Sequence, residues 1–255
     1  MTNLQNSTTT PLAYSECYVQ PFFSFYNADN MAIMKTFGYK EFDLAIVDPP
    51  YDFSISKTNF VAKGKHNEKR FQRHGGAKDK GGLVISSKHE SPFMICPTKE
   101  YFDELFRVSK HQIIWGGNYF TQYLPPSMAW IYWGKENGDS YFSDGELAWT
   151  SFGCGLREVR KHSVQQNRIH PTQKPEYLYS WILNKYLPNA FSGRKPIFNK
   201  ILDTHLGSGS IAIAIDKANT LDKKNLTFVG IELDTDYFRA AVGRFKNHKR
   251  QCVLF

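Results

Sequence analysis

The chain contains a short apolar run that ends abruptly in Asp-Pro-Pro-Tyr. Residues 42–47 read Phe-Asp-Leu-Ala-Ile-Val, and Asp48, Pro49, Pro50 and Tyr51 follow directly. Such a run is typical of a buried strand, and the two prolines end it because neither can donate a hydrogen bond to a sheet. Open α/β sheets bind their ligands at the carboxyl ends of their strands. We therefore predict a strand at 42–47 that leads directly into a functional site.

The residues of this turn suit a flat heteroaromatic ring that carries an exocyclic amine. The Asp48 side chain and the Pro49 carbonyl can accept the two amine hydrogens, and Tyr51 can stack on the ring. A nucleobase is such a group. An Asp-Pro-Pro turn also occurs in ordinary loops, so the motif alone leaves a purely structural role open.

A second segment predicts a strand, a glycine-rich turn and a helix in succession. Residues 197–203 read Ile-Phe-Asn-Lys-Ile-Leu-Asp and predict a strand that ends in Asp203, and the turn 204–210 leads into the apolar residues 211–215. Glycines at 207 and 209 allow a tight turn and bring backbone N–H groups close to a ligand. The pattern is neither a dinucleotide fingerprint nor a phosphate loop, and the acid before the turn better suits a ligand with an ammonium group. A third predicted strand, 228–232, ends in Glu232, which is well placed to accept from ribose hydroxyls.

These segments, in this order, resemble the S-adenosylmethionine (SAM)-dependent amino methyltransferases that act on DNA bases. The resemblance is to the beta class, in which the Asp-Pro-Pro-Tyr half precedes the cofactor-binding half. It runs from about residue 27 to residue 245. It implies an α/β fold with a doubly wound, Rossmann-like sheet, mostly parallel with an antiparallel pair at one edge.

The resemblance also assigns roles to particular residues. Asp48, Pro49, Pro50 and Tyr51 match the catalytic turn that holds the target base. Three further segments are similar to cofactor-binding parts of the family: the acidic turn 27–30 toward the adenine, 169–175 toward the methionine end, and 229–234 toward the ribose. The cofactor-binding residues predicted in this way are Asp29, His170, Thr172, Gln173, Lys174, Asp203, Gly207, Ser208, Gly209, Ser210 and Glu232. The chain departs from the family at Thr204-His205-Leu206, where the usual pattern is Pro-Phe.

The implied activity is methyl transfer from SAM to the exocyclic N6 amine of an adenine that is flipped out of DNA. Asp rather than Ser at position 48 favours adenine by resemblance, although the chemistry suits cytosine N4 equally and RNA is not excluded as a substrate. A non-catalytic nucleic-acid-binding subunit is disfavoured, because five residues that such a subunit could lose are all present. These are Asp29, Asp48, Tyr51, Asp203 and Glu232. A homodimer and a partner restriction endonuclease are compatible with the resemblance, but the sequence marks neither.

Composition agrees with this interpretation. A chain of 255 residues can bury one good core, so we expect a single catalytic domain over 1–255. The formal net charge of +8 favours a polyanionic partner such as DNA. Four scattered cysteines indicate neither a metal site nor a disulfide framework. No apolar stretch of membrane-spanning length and no signal peptide is apparent, so the expected location is cytoplasmic.

Two basic segments fall outside the predicted scaffold. Residues 52–95 form a long insertion with nine Lys or Arg against four acids, a net charge of +5. This insertion is either a lid that grips DNA phosphates or a passive solvated loop. Residues 153–168 occupy the place of the family's target-recognition region and carry four basic residues against Glu158. So short a segment offers few side chains for base edges.

Periodicity predicts the remaining elements. Helices are expected at 99–109, with Phe102, Leu105 and Phe106 on one face, at 175–187, with Leu178, Trp181 and Ile182 inward, and at 237–247. Strands are expected at 111–115, 129–133 and 146–152. The last two should pair antiparallel, because the connection between them is short.

Overall fold

The computed structural model describes residues 14–51, 96–136, 143–161, 168–170, 172–187 and 199–252. Each segment that was predicted to be a strand near the site contains a strand. The strands are β1 (Glu16–Gln20), β2 (Phe23–Asn27), β3 (Phe42–Val47), β4 (Ser109–Trp115), β5 (Trp130–Gly134), β6 (Gly145–Thr150), β7 (Arg157–Arg160), β8 (Lys200–Asp203) and β9 (Thr227–Glu232). The helices are α1 (Asn30–Met34), α2 (Lys99–Val108), α3 (Glu176–Tyr186), α4 (Ser210–Leu221) and α5 (Thr235–Cys252), with a 3₁₀ turn at Gly117–Tyr119.

The strands described form one sheet in the order β1-β2-β9-β8-β3-β4-β6-β5-β7. Five adjacent strands, from β2 to β4 in that order, are mutually parallel. The predicted antiparallel pair β5–β6 is present, and β6 also pairs antiparallel with β4. The predicted fold class, a doubly wound and mostly parallel α/β sheet with an antiparallel pair toward one edge, is confirmed.

Helices cover the sheet because its central strands are apolar on both faces. Every residue of β3 is buried, as expected for a parallel strand between two helical layers. Leu44 and Ile46 share a core with helices α3, α4 and α5, while α2 buries Phe102 and Leu105 outside that core. Successive strand residues point to opposite faces, so this division places helices on both sides of the sheet.

Several details differ from the sequence-based expectations. Phe106 and Trp181 are only partly buried, whereas Phe102, Leu105, Leu178 and Ile182 are buried as predicted. The β5–β6 pair does not form the outer edge, because β7 lies beyond it, parallel to β5. The hairpin β1–β2 was not predicted. Its turn contains Phe22 at a φ of 70°, a conformation that sequence signals normally assign to Gly or Asn.

By its contacts the chain divides into two units, Met1–Pro49 with Thr98–Phe255 and Pro50–Pro97. The first unit carries all the elements named above. Of the second, which corresponds to the basic insertion 52–95 with its flanks, only residues 50, 51, 96 and 97 lie in the described ranges. Within those ranges no helix combines the length and apolar character needed to cross a membrane.

Candidate functional site

Three acidic residues lie at the carboxyl ends of three neighbouring parallel strands. Asp48 follows β3, Asp203 ends β8 and Glu232 ends β9. The register places Asp203 opposite Gly230 and Glu232 opposite Asn27, the last residue of β2. Since parallel strands present their carboxyl ends at one edge of a sheet, the acids that were predicted separately from sequence share one edge.

The turn between β8 and α4 is held against the end of β9. The Leu206 N–H donates to the Ile231 carbonyl at 2.9 Å, and the Gly207 N–H donates to Glu232 Oε2 at 2.7 Å. Gly207 and Gly209 have φ of 51° and 68°, values that favour glycine. Glu232 therefore fixes this turn and still has acceptor capacity for a ligand, because each carboxylate oxygen has two lone pairs.

His205, the departure from the family pattern, belongs to a network of polar and aromatic side chains beside this turn. Its ring nitrogens lie 3.1 Å from Asn30 Nδ2 and 3.0 Å from Thr204 Oγ1, and its ring meets that of Tyr101 edge to face. The Tyr101 hydroxyl lies 2.6 Å from Thr204 Oγ1. Burial lowers the pKa of His205 to about 3, so its imidazole is neutral at pH 7. A neutral imidazole suits this position, because it can bond to both neighbours.

Asp48 is paired with Lys174, a residue predicted to bind the cofactor. Lys174 Nζ lies 2.6 Å from Asp48 Oδ2 and 3.1 Å from Glu146 Oε2. Glu146 in turn pairs with Lys135 at 2.5 Å. The Lys174 ammonium also lies 5.2 Å from the centre of the Trp115 ring. The predicted catalytic acid is thus one end of a chain of alternating charges.

Burial shifts the pKa values of this acidic edge. It raises the pKa of Asp203 to about 8, partly offset by the His205 N–H, which donates to Asp203 Oδ1 at 2.9 Å. Burial also raises the pKa of Asp48, with Lys174 opposing that shift. For Glu146 the two lysines outweigh burial, and its pKa is lowered. For Lys174 the two carboxylates outweigh burial, and its pKa is raised.

The other predicted cofactor-binding residues have varied surroundings. Asp29 is exposed and caps α1 through the Ala32 N–H at 2.9 Å. His170 packs edge to face on Tyr237 and accepts from the Thr172 N–H at 3.3 Å. Gln173 is buried, and its Oε1 accepts from the Ile169 N–H.

Ser208 and Ser210 are both buried, and their hydroxyl oxygens lie 3.0 Å apart. Arg244 of α5 donates to the Ser208 carbonyl and to Ser210 Oγ. The serines therefore link the glycine turn to α5. Of the predicted catalytic turn, Asp48 and Pro49 belong to the first unit, whereas Pro50 and Tyr51 begin the second.

Sequence reasoning missed Lys135, Glu146 and Trp115 as site residues. Glu146 lies in β6, opposite Trp133, and Lys135 directly follows β5. Because β6 runs against β4, its first residues lie at the edge where β4 ends with Trp115. The available signal was the predicted antiparallel pair of strands. In such a pair the end of the first strand and the start of the second lie at one edge of the sheet, and here that is the edge that carries Asp48.

This edge is suited to a ligand that donates hydrogen bonds or carries positive charge. Asp48, Asp203 and Glu232 provide carboxylate acceptors, and the ordered glycine turn lies between the last two. A buried carboxyl with a raised pKa, such as Asp203, becomes charged readily when a cationic group approaches. Perturbed acids gathered in one place are typical of functional sites.

Comparison with known proteins gives a fold and no family. No protein-family model and no curated protein matches the chain. Among solved structures, the PvuII DNA methyltransferase (cytosine-N4-specific) is similar with a TM-score of 0.50 and 11% identity, over 88% of this chain and 86% of that one. The M1.HpyAVI–SAM complex gives a TM-score of 0.49 and 18% identity, over 88% and 98%. At such identities the first likeness shows a shared fold alone.

Proposed function

We propose that the protein is a DNA methyltransferase that transfers a methyl group from SAM to the exocyclic N6 amine of a flipped adenine. One observation carries the proposal: Asp48, Asp203 and Glu232 meet at one sheet edge around a positive-φ glycine turn. The shared fold with a DNA methyltransferase is consistent with it.

The acidic edge fits SAM by the chemistry of its groups. Asp203, buried with a raised pKa, would hold the ammonium of the methionine end. Glu232, anchored on the Gly207 N–H, would accept from the ribose hydroxyls. Asp29 lies two residues beyond Asn27, the partner of Glu232, and would contact the adenine. When bound, SAM supplies an already activated methyl group, so this chain has mainly to align the reactants.

Asp48 is proposed to act on the target amine. The lone pair of an exocyclic amine is delocalised into its ring, which makes the nitrogen a poor nucleophile. Acceptors at Asp48 and at the Pro49 carbonyl would hold its hydrogens and stabilise the positive charge that grows on nitrogen. Tyr51 would stack on the base, which must leave the duplex to react.

The test is transfer of labelled methyl from SAM to unmethylated genomic DNA, with the product nucleosides separated by mass. N6-methyladenine is the expected product. Absence of any DNA product while SAM binding is intact would contradict the proposal. An RNA polymer assayed in parallel identifies the case in which RNA is the substrate.

A second candidate is methylation of cytosine N4. The structural neighbour with a TM-score of 0.50 is a cytosine-N4-specific enzyme, and the same acceptors suit either amine. N4-methylcytosine in the assay would keep the proposed mechanism and change the base.

A further inference from the structure

A chain of alternating charges crosses the antiparallel part of the sheet and ends on Asp48. Lys135 directly follows β5, and Glu146 is the second residue of β6. Lys174 immediately precedes Pro175, the N-cap residue of α3. The links are 2.5 Å from Lys135 to Glu146, 3.1 Å from Glu146 to Lys174, and 2.6 Å from Lys174 to Asp48. Lys174 is therefore held between the Glu146 carboxylate of β6 and the Asp48 carboxylate, which directly follows β3.

Lys174 is buried, and the two carboxylates that it contacts are partly buried. The Lys174 side chain is 4% exposed, and those of Asp48 and Glu146 are 16% and 23% exposed. Desolvating charges is costly, and apolar residues of similar volume often serve stability equally well. Stability therefore gives no sufficient reason for the chain of charges, whereas a reaction that needs a charged, oriented Asp48 gives one.

We propose that Lys174, held by Glu146 and Lys135, is a positioning residue that keeps the Asp48 carboxylate ionised and fixed in orientation toward the target amine. This inference rests on the proposed function and deepens it. Lys174 contacts Oδ2 of Asp48. Lone pairs therefore remain on the carboxylate to accept hydrogen bonds from the amine. A protonated Asp48 would offer fewer acceptors and no charge to stabilise a developing cation.

The groups around Asp48 act on its charge in opposite directions. Lys174 and Lys135 favour the carboxylate, whereas burial and the nearby Glu146 favour the protonated acid. Asp203 is a further like charge for Asp48 when it is ionised, above its raised pKa of about 8. Tyr179 of α3 also interacts with Asp48, but burial keeps its hydroxyl protonated. Removing Lys174 should therefore raise the pKa of Asp48, and removing the Glu146 charge should lower it.

The experiment measures the Asp48 titration directly and through activity. The full-length protein is labelled with ¹³C at the aspartate carboxyl carbons, and Asp48→Asn identifies the Asp48 signal. Titrations compare wild type, Lys174→Met, Lys174→Arg and Glu146→Gln, with Lys99→Met of an exposed pair as the matched control. The pH dependence of kcat for methyl transfer is recorded in parallel.

The expected result is a pair of shifts of opposite sign. Lys174→Met should move the Asp48 titration and the acid limb of kcat upward by about one pH unit or more, so that lost activity returns at higher pH. Glu146→Gln should move both downward, Lys174→Arg should stay near wild type, and Lys99→Met should move neither.

The outcomes separate this inference from the proposed function. Unshifted titrations, or shifts of the same sign in Lys174→Met and Glu146→Gln, would overturn the inference even in an active enzyme. If Lys174→Met fails to fold, Lys174→Gln replaces it, and an unshifted Asp48 titration in that variant overturns the inference. Opposite shifts in a protein that methylates no nucleic acid would support control of the Asp48 charge by Lys174 and reject the proposed function.

Discussion

At the scale of single residues, the site combines acids whose surroundings favour different charge states. Asp48 faces a lysine at 2.6 Å, whereas Asp203 is buried and accepts from the His205 backbone N–H on Oδ1. Similar acids in unlike environments commonly carry different roles. These environments are consistent with the proposed roles, in which Asp48 acts on the target base and Asp203 holds the ammonium of the cofactor.

Replacing Asp48 should separate chemistry from cofactor binding. Asp48→Ala and Asp48→Asn are expected to lower kcat by about a hundredfold or more, because they remove the charge that stabilises the developing cation. The dissociation constant of SAM, measured by titration calorimetry, should stay within about threefold of wild type, a shift below 1 kcal/mol. Turnover near the wild-type rate in either folded variant would reject the catalytic role of Asp48.

Cofactor binding should release a proton from Asp203. With a pKa of about 8, its carboxyl is largely protonated at pH 7 in the free protein. A ligand ammonium lowers that pKa, so SAM affinity should rise as the pH increases toward 8 and level off above it.

Calorimetry in buffers of different ionisation enthalpy measures this proton release. Nearly one proton per SAM is expected at pH 7. Asp203→Asn should bind more weakly and release none, and an undiminished release in that variant would assign the proton to another group.

At the scale of elements, the glycine turn is a junction within the half of the chain that is proposed to bind the cofactor. Leu206 and Gly207 both donate to the end of β9, and Arg244 links the turn to α5. The turn thus joins two strands and two helices, and a backbone change there should affect stability and binding together.

Gly207→Ala tests this junction, because the loss of stability that it causes should come from the backbone conformation alone. A Cβ at Gly207 would meet His170 only at 3.7 Å, an ordinary contact, but the φ of 51° is unfavourable for alanine. We expect the free energy of unfolding to fall by about 1 kcal/mol and SAM to bind more weakly.

The matched control is Gly243→Ala in α5, where an added Cβ meets nothing within 4 Å. This change should instead stabilise the protein by about 0.5–1 kcal/mol, because alanine is the better helix former. Chemical denaturation measures both variants, and equal effects of the same sign would contradict the argument.

At the scale of the whole molecule, much of the net positive charge lies in one segment of the sequence. The insertion 52–95 contributes +5 toward a chain total of +8, and it follows the proposed catalytic turn. Its structure lies outside the described residues, so its role as a DNA-gripping lid stays a prediction, as do a homodimer and a partner endonuclease. In the segment 153–168, residues 157–160 form β7, where Arg160 pairs with Glu158.

Lysines of the insertion should contribute to the salt dependence of DNA binding. Neutralising Lys63 and Lys65 to Gln is expected to reduce the slope of log K against log salt by up to about 0.9 for each phosphate that a lysine no longer neutralises. Lys200→Gln with Lys223→Gln is the control, because Lys200 starts β8 and Lys223 lies in the connection that leads into β9, whereas the acids lie at the carboxyl ends of these strands. An unchanged slope in the insertion variant would favour a passive loop.

The local parts of this protein could be predicted from its sequence. The strands that lead to Asp48, Asp203 and Glu232 were recognisable, because the burial of a strand and the point where it ends are both encoded within a few residues. The helix after Gly209 and the antiparallel pair 129–133 and 146–152 were predictable for the same reason. The hairpin β1–β2 was not, because its turn places Phe22 at positive φ.

The pairing of the charged side chains, by contrast, became visible in the folded structure. Lys174 reaches Asp48 across 126 residues of sequence, and sequence resemblance had grouped it with the cofactor-binding residues. Glu146 and Lys135 belonged to predicted strands and their ends, without a functional mark. Their meeting depends on strand order and on the reversal of β6 against β4. Charge pairing across a sheet depends on the packing of the whole fold, and no local sequence pattern records it.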